Sequence, residues 1–316
     1  MNSDLHWQQR RDQDYNATVI RRIDVHDDLA RFHIKPDTPF PPFAPGQFVT
    51  LALGNWESRL PGTQAQTLSE KEQSRLVKRA YSISCPMLTE DESSVVAVND
   101  VDYLEFYIVL VRENEGPDSQ PPALTPRLWE LSDGDRLNIG KKITGHYTLQ
   151  GVDADDTVLM IGTGTGEAPH NAMSAQLLRD GHRGAIINVT TSRVHADLGY
   201  TRQHAVLQSR YPQYHYIPLT TREPENLDPS CPGFVGKQYA QDCFESGFLE
   251  QSAGIEFSPQ NTHVFLCGNP AMIGITKGDQ TLSRPGMLQI LQDRGYDVFD
   301  HHAPDDSGTV RYEKYW

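Results

Sequence analysis

The sequence predicts a two-domain chain: an antiparallel β-barrel followed by an α/β domain built on a parallel sheet. Three observations carry this. The first half consists of short β-branched and aromatic runs separated by turn residues, with few helical patterns. Past residue 152 apolar strands alternate with helical segments, the pattern of a parallel sheet with helices on both faces. At 316 residues the chain is long enough for two cores.

Taken in order, residues 1–14 read as a polar tail, and "NATVIRRIDVHDDLARFHI" gives two strands around an Asp-rich turn. "FAPGQFVTLAL" is a Pro-Gly turn into an alternating strand, and "RAYSISCP" is a short strand stopped by proline. "DYLEFYIVLVRE" is a long strand, and "LSDGDRLNIGKKI" turns at Asp-Gly into another. Polar stretches near 54–78 and 113–123 read as loop insertions. The barrel domain is thus placed at 1–152 and the α/β domain at 153–316. In the latter, "DTVLMIGTGTGEAPHNAMSAQLLRDGHRGAIINVTTSR" reads strand, glycine turn, helix, strand. A strand in "YHYIPLTTRE", one helix in "QYAQDCFESGFLEQSA", a strand in "HVFLCGNPAM" and a helix in "GMLQILQDRGYD" follow.

Composition excludes several classes. A net charge of −14 argues against a nucleic-acid binder. No apolar run approaches the roughly 20 residues that span a bilayer, and the first residues lack an apolar signal region. Four cysteines lie far apart with no CxxC pair, so a metal centre, an iron–sulfur cluster and a redox dithiol are not expected. A reduced, cytoplasmic setting fits. Basic spots at Arg21-Arg22, Lys78-Arg79, Lys141-Lys142 and Arg311/Lys314 are either scattered solvated charge or a local patch that steers an acidic partner.

In "MIGTGTGEAP" Gly162, Gly164 and Gly166 remove side chains between an apolar strand and a helix, where a helix N-terminus can hold a phosphate. The third glycine falls one residue early for the full dinucleotide fingerprint, so a purely structural turn stays open. The next strand ends "NVTTSR" and the following one "PLTTRE". Ser192, Arg193 and Arg222 at neighbouring strand ends suit a nucleotide 2′-phosphate, and so NADP rather than NAD. The chain stops on "GTVRYEKYW". Two adjacent large aromatics at an end either dock into the core or cover something flat.

"RAYSIS", "GTGTGEAP", "LCGNPAM" and a terminal aromatic, in that order, resemble the ferredoxin–NADP reductase family from about residue 15 to the end, with the two insertions as departures. The resemblance implies FAD in the barrel and NADP in the α/β domain. It implies that Arg79 neutralises the FAD pyrophosphate, that Tyr81 lies against the flavin ring and that Ser82 bonds near flavin N5. Tyr107 and Val109 match a second flavin-contacting stretch. Leu124 and Thr125 match a turn presented to the pyrophosphate. Thr163, Gly164, Thr165 and Gly166 match the NADP pyrophosphate turn, with Thr165 also near FAD. Cys267 and Gly268 fall beside the nicotinamide; the alternative for Cys267 is a buried core thiol. "GKQYAQ" matches the element for the 2′-phosphate and adenine, which points to Lys237 and Tyr239. Glu313 matches a proton-relaying glutamate, Tyr315 the ring over the flavin, and Trp316 an extra ring for the FAD adenine, the two aromatic roles being exchangeable.

The catalytic set implied is therefore Ser82, Cys267, Glu313 and Tyr315. The reading is a monomeric flavin enzyme that exchanges a hydride with NADP(H) and single electrons, transiently, with ferredoxin or flavodoxin. Alternatives are an oxygenase-component or free-flavin reductase on the same scaffold, and a non-enzymatic flavoprotein-derived module.

Overall fold

The computed structural model describes residues 3–114, 119–276, 282–299 and 308–315. Contacts divide the chain into two units: Met1–Cys85 with Val98–Gly145, and Pro86–Ala97 with His146–Trp316.

The first unit contains α1 (Ser3–Asp14), β1 (Ala17–His26), β2 (Leu29–Pro36), β3 (Phe48–Gly54), α2 (Glu70–Gln73) and β4 (Leu76–Ser82). A short hairpin, β5 (Met87–Leu88) and β6 (Val95–Val96), groups with the second unit. The barrel resumes with β7 (Leu104–Val109), α3 (Thr125–Leu128) and β8 (Arg136–Ile139). The six strands run β4-β3-β8-β1-β2-β7, and neighbours are antiparallel. The sheet closes on itself: just past β4, Ser84 bridges Glu105 of β7, with Ser84 N–H donating to the Glu105 carbonyl at 2.9 Å. Closure removes both sheet edges. The period-2 alternation read from the sequence points Phe32, Val49, Leu51, Ile83 and Phe106 into one core, capped by Trp129.

The expected polar tail is instead a helix. Its sequence is hydrophilic overall, but Trp7 stacks on Trp56 at 5.2 Å with the rings 6° from parallel. Arg11 grips Glu57 with two bonds, Nε to Oε1 at 2.9 Å and Nη2 to Oε2 at 2.8 Å. The Tyr15 hydroxyl donates to Glu57 Oε1 at 2.6 Å and accepts from Gly54 N at 3.0 Å. Gly54 is required here, since a Cβ would lie 2.1 Å from the Trp56 ring. Stretch 54–78 is therefore not one loop. It begins with this aromatic lock, contains α2 with a reciprocal cap between Ser69 and Glu72, and ends inside β4.

The second unit contains β9 (Thr157–Thr163), α4 (Glu167–Arg179), β10 (Ile186–Ser192), α5 (Thr201–Arg210), β11 (Tyr214–Thr220) and α6 (Pro224–Leu227). It continues with α7 (Ala240–Glu245), α8 (Phe248–Ala253), β12 (Thr262–Gly268), α9 (Pro270–Ile273), α10 (Met287–Asp293) and β13 (Val310–Lys314). The strands run β11-β10-β9-β12-β13, all parallel. Strand order reverses beside β9, so the glycine turn that leaves β9 opens at the switch point where such sheets bind ligands. The single helix expected over 238–253 is two, broken where Gly247 takes φ 76°. The chain end is not a free tail: β13 adds the outermost strand. Among the described residues no helix is long and apolar enough to cross a membrane, and no cluster of three His, Cys, Asp or Glu side chains could hold a metal.

Burial alone pushes the Glu57 carboxyl up, but the bonds from Arg11 and Tyr15 hold it below its ordinary value. A depressed folded pKa adds stability above the unfolded value, and that stability is lost as pH falls through the folded one. Glu57→Gln is expected to cost about 1–2 kcal/mol at neutral pH. Its deficit should shrink on acidification to pH ~3. Melting curves of both proteins across pH check this; a deficit constant with pH contradicts it.

Candidate active-site residues

In the barrel unit, Arg79 and Tyr81 sit two apart on β4 and so share a face. Arg79 is exposed, and its Nη1 donates to the Lys78 carbonyl at 2.8 Å. Tyr81 is half-buried and packs edge-on against Phe106, centroids 6.4 Å apart at 76°. Burial raises its phenol pKa, and Arg79 opposes that shift. Ser82 and Tyr107 are buried, whereas Val109 at the end of β7 is 44% exposed. Leu124 is the N-cap of α3, and Thr125 Oγ1 accepts from Val111 N at 3.1 Å. That bond ties the turn to the end of the β7 segment.

Two arginines at this turn went unnoticed in the sequence. Arg127 is 2% exposed and donates to Gln66 Oε1 at 3.1 Å, the Ala123 carbonyl at 2.5 Å and the Asn55 carbonyl at 2.9 Å. Arg59 donates to the Pro122 carbonyl at 2.9 Å. Among the described residues neither has a carboxylate within 4.0 Å. Burial first, then the charge of Arg59, pull Arg127 down to about 10. Two cations with no carboxylate in contact thus bracket the segment 122–124, and the charge of Glu57 only partly offsets Arg127. The only sequence signal was an arginine inside the otherwise apolar "ALTPRLW".

In the parallel-sheet unit the glycine turn and the "CGNP" turn interlock. β9 and β12 are neighbours, with Cys267 opposite Gly162. A Cβ on Gly166 would fall 2.5 Å from the Cys267 carbonyl oxygen, and one on Gly268 would fall 2.3 Å from Thr163 Oγ1. Thr163 Oγ1 accepts from Asn269 N at 2.7 Å. Gly164, at φ 53°, has nothing within 4 Å of the position its Cβ would take, so the turn's crest, between Thr163 and Thr165, is open.

Cys267 is fully buried, and burial followed by the charge of Glu313 raises its thiol well above the ordinary value. Glu313 lies opposite it on β13. Tyr315 N donates to the Gly268 carbonyl at 2.9 Å. Cys267, Gly268, Glu313 and Tyr315 are thereby one cluster, while Trp316 lies outside the described residues. Behind them the Tyr147 hydroxyl bonds His170 Nε2 at 2.7 Å. Burial pushes His170 down to about 3, so the ring is neutral.

The phosphate-type residues also gather. Arg193 and Arg222 are exposed, and Arg222 N donates to the Arg193 carbonyl at 2.8 Å. Ser192 is buried, its hydroxyl donating to the Val194 carbonyl at 2.8 Å. Gln238 N bonds the Thr220 carbonyl at 3.1 Å, which brings exposed Lys237 and half-buried Tyr239 to the same strand end. A second unforeseen group stands at the start of α4. Fully buried Glu167 accepts from His204 Nε2 at 2.8 Å and from the Tyr216 hydroxyl at 3.3 Å. His204 Nδ1 bonds the Tyr214 hydroxyl at 2.7 Å. This network ties the helix behind the glycine turn to α5 and β11.

A closed barrel with an RxYS strand, followed by a parallel sheet with interlocked glycine and CGNP turns, defines a two-domain flavin–nicotinamide oxidoreductase scaffold. A family model described as "Oxidoreductase NAD-binding domain" matches residues 160–278. The flavodoxin/ferredoxin–NADP reductase of Escherichia coli (strain K12) is 30% identical over 251 residues, 78% of this chain and 83% of that protein. A ferredoxin–NADP reductase of Azotobacter vinelandii is 25% identical over 264 residues, 82% and 86% of the two chains. The fold is that of the crystal structure of a ferredoxin NADP+ reductase from Neisseria gonorrhoeae with bound FAD and NADP. The TM-score is 0.68 at 19% identity, over 95% of this chain and 98% of that one. The chain belongs to the flavodoxin/ferredoxin–NADP reductase family.

Gly268 combines φ 112° with a blocked Cβ position, so neither backbone nor space admits a side chain. Gly268→Ala is expected to destabilise the protein by about 2–4 kcal/mol. Denaturant unfolding measures it; an unchanged midpoint rules out the interlock as a rigid constraint.

Proposed function

We propose that the chain is an FAD-dependent oxidoreductase that exchanges a hydride with NADP(H) and single electrons with ferredoxin or flavodoxin. The observation that carries this is the interlock of the glycine and CGNP turns in the same chain as an RxYS barrel strand, within this family. The residues fit both groups. Arg59 and Arg127, cations without a carboxylate, stand at the turn assigned to the FAD pyrophosphate. The open crest at Gly164 leaves room above the turn assigned to the NADP pyrophosphate. Domain 1–152 is assigned to FAD and 153–316 to NADP.

Bound flavin supplies the chemistry that joins a two-electron hydride donor to a one-electron carrier. The chain's residues bind, orient and hold protons. Arg79, Leu124 and Thr125 hold the FAD pyrophosphate; Tyr81, Tyr107 and Val109 contact the ring, and the Ser82 hydroxyl serves flavin N5. Thr163 to Gly166 hold the NADP pyrophosphate, with Thr165 also assigned to FAD. Ser192, Arg193, Arg222, Lys237 and Tyr239 hold the adenosine 2′-phosphate end. Cys267 and Gly268 receive the nicotinamide. Glu313, beside Cys267 on the neighbouring strand, is the carboxylate available to carry a proton to the site. The protein is assigned as a monomer working in the cytoplasm; its four free thiols, Cys85, Cys231, Cys243 and Cys267, support a reducing compartment. Purified protein should release FAD, not FMN, on heating, and should reduce ferredoxin or flavodoxin with NADPH. FMN, or no carrier reduction with either protein, overturns the reading.

We assign Tyr315, whose N–H donates to the Gly268 carbonyl next to Cys267, to the position that the nicotinamide takes. Aromatic contacts are worth about 0.5–1.5 kcal/mol beyond area burial, enough to order the ring and weak enough for a ligand to displace. Only the open fraction binds, which reduces apparent affinity. Deleting Tyr315 and Trp316 is expected to tighten NADP+ binding, relax discrimination against NADH and lower turnover by slowing release. Titration of the truncated protein with NADP+ checks it; unchanged affinity shows that the aromatics do not gate the site.

A further inference from the structure

The corner that gathers Arg193, Arg222, Lys237 and Tyr239 contains a fourth cation, and it comes from a part of the chain that no motif marks. Arg284 lies in the segment before α10. Its guanidinium carbon stands 3.8 Å from the centroid of the Tyr239 ring. Nη1 donates to Asp242 Oδ2 at 2.7 Å. Asp242 lies in the first turn of α7, three residues after Tyr239, the N-cap of that helix. Among the described residues Asp242 is the one hydrogen-bond partner of this guanidinium, which leaves Nε and Nη2 available.

Each contact that holds Arg284 is weak. A cation over a half-buried aromatic ring is worth about 1 kcal/mol. The ion pair is exposed on both sides, 35% for Arg284 and 56% for Asp242, and such pairs contribute about 0–1 kcal/mol. The geometry therefore places the arginine without locking it. A planar guanidinium can stack on a ring and still present parallel N–H groups to a phosphate, which a lysine cannot do. The pairing also settles the charge of Asp242. Left unpaired, that carboxylate would face an anionic ligand at the Tyr239 corner and oppose it.

We infer that Arg284 is a specificity-determining residue for the nucleotide: stacked on Tyr239 and neutralising Asp242, it contributes a charge-assisted contact to the 2′-phosphate. This rests on the NADP(H) reading above and assigns to the site a residue outside its recognised motifs. The contact selects for the phosphomonoester over the uncharged adenine, because only the phosphate makes the hydrogen bond charge-assisted on both sides.

The test is calorimetric binding of 2′,5′-ADP and of 5′-ADP, which lacks the 2′-phosphate, to purified holoprotein. Arg284→Ala is expected to weaken 2′,5′-ADP about tenfold or more and to change 5′-ADP by less than about twofold. Arg284→Lys, which keeps the charge but not the planar fork, should fall between wild type and Arg284→Ala. Equal losses for both ligands in Arg284→Ala would show that the arginine merely props Tyr239, and unchanged 2′,5′-ADP affinity would show that it does not meet the phosphate; either overturns the inference. A wild-type protein that binds the two ligands equally would overturn the NADP(H) reading itself, an outcome distinct from both.

Discussion

The close approach of two turns is the constraint on which the rest of the nucleotide unit depends. Gly166 passes against the carbonyl of Cys267, and Gly268 passes against Thr163, with no room for a Cβ at either place. The Thr163 hydroxyl then accepts the Asn269 N–H across the gap. Because β9 and β12 are parallel neighbours, their carboxyl ends emerge side by side, and this contact fuses them into one rim. One half of the rim is the phosphate-type turn; the other carries Cys267. On the proposed assignment, a nucleotide laid along it meets the pyrophosphate turn and the nicotinamide position at a spacing set by the sheet, not by flexible loops. The last strand extends the same rim, since β13 places Glu313 opposite Cys267 and leads Tyr315 back to it.

Both units bury charge next to these ligand turns, and they compensate it differently. Glu167 is enclosed at the start of α4, yet it receives a histidine and a tyrosine, and that histidine is itself bonded and stacked on Tyr216 at 3.8 Å. Such a network locks a helix end in place. Arg127 is enclosed to the same degree but has only carbonyl and amide oxygens for partners, with a second arginine close by. A buried guanidinium with no carboxylate in contact, beside half-buried Arg59, is stabilised when an anion arrives. Carbonyl partners hold the guanidinium in place without cancelling its charge, so the field stays available to the pyrophosphate proposed for the Leu124–Thr125 turn.

How much of this was legible follows from the range of the interactions involved. The strands of the barrel were visible because alternation is local, and the parallel sheet because strand, glycine turn and helix follow one another within thirty residues. The motif residues were legible for the same reason. What the sequence hid depends on partners far apart. α1 looked like a polar tail because its anchors are Trp56 and Glu57, more than forty residues away. Helices α7 and α8 read as one because a single glycine inside a helical pattern is tolerated until its φ turns positive. Glu167 in "GEAP" looked like an ordinary first-turn acid; its partner His204 lies thirty-seven residues on. Arg284 carried no signal at all, because its meaning is the ring it lies on.

The protein is strongly acidic, at a net charge of −14, yet NADP is an anion. At physiological ionic strength charges separated by more than about 8 Å are largely screened, so the bulk of that charge acts weakly at any one site. What remains is local. Arg193, Arg222, Lys237 and Arg284 converge on one strand end, and the one acid drawn into that corner through Arg284, Asp242, is paired by it. The first three of these cations are exposed, so the role proposed for them is direct contact with a phosphate and not a field prepared in a dry pocket. In the barrel the reverse holds, because Arg127 is buried and acts through a low-dielectric surround. An exposed, readily exchanged cation cluster suits a nucleotide that must leave after every turnover, and a buried one suits a cofactor that stays.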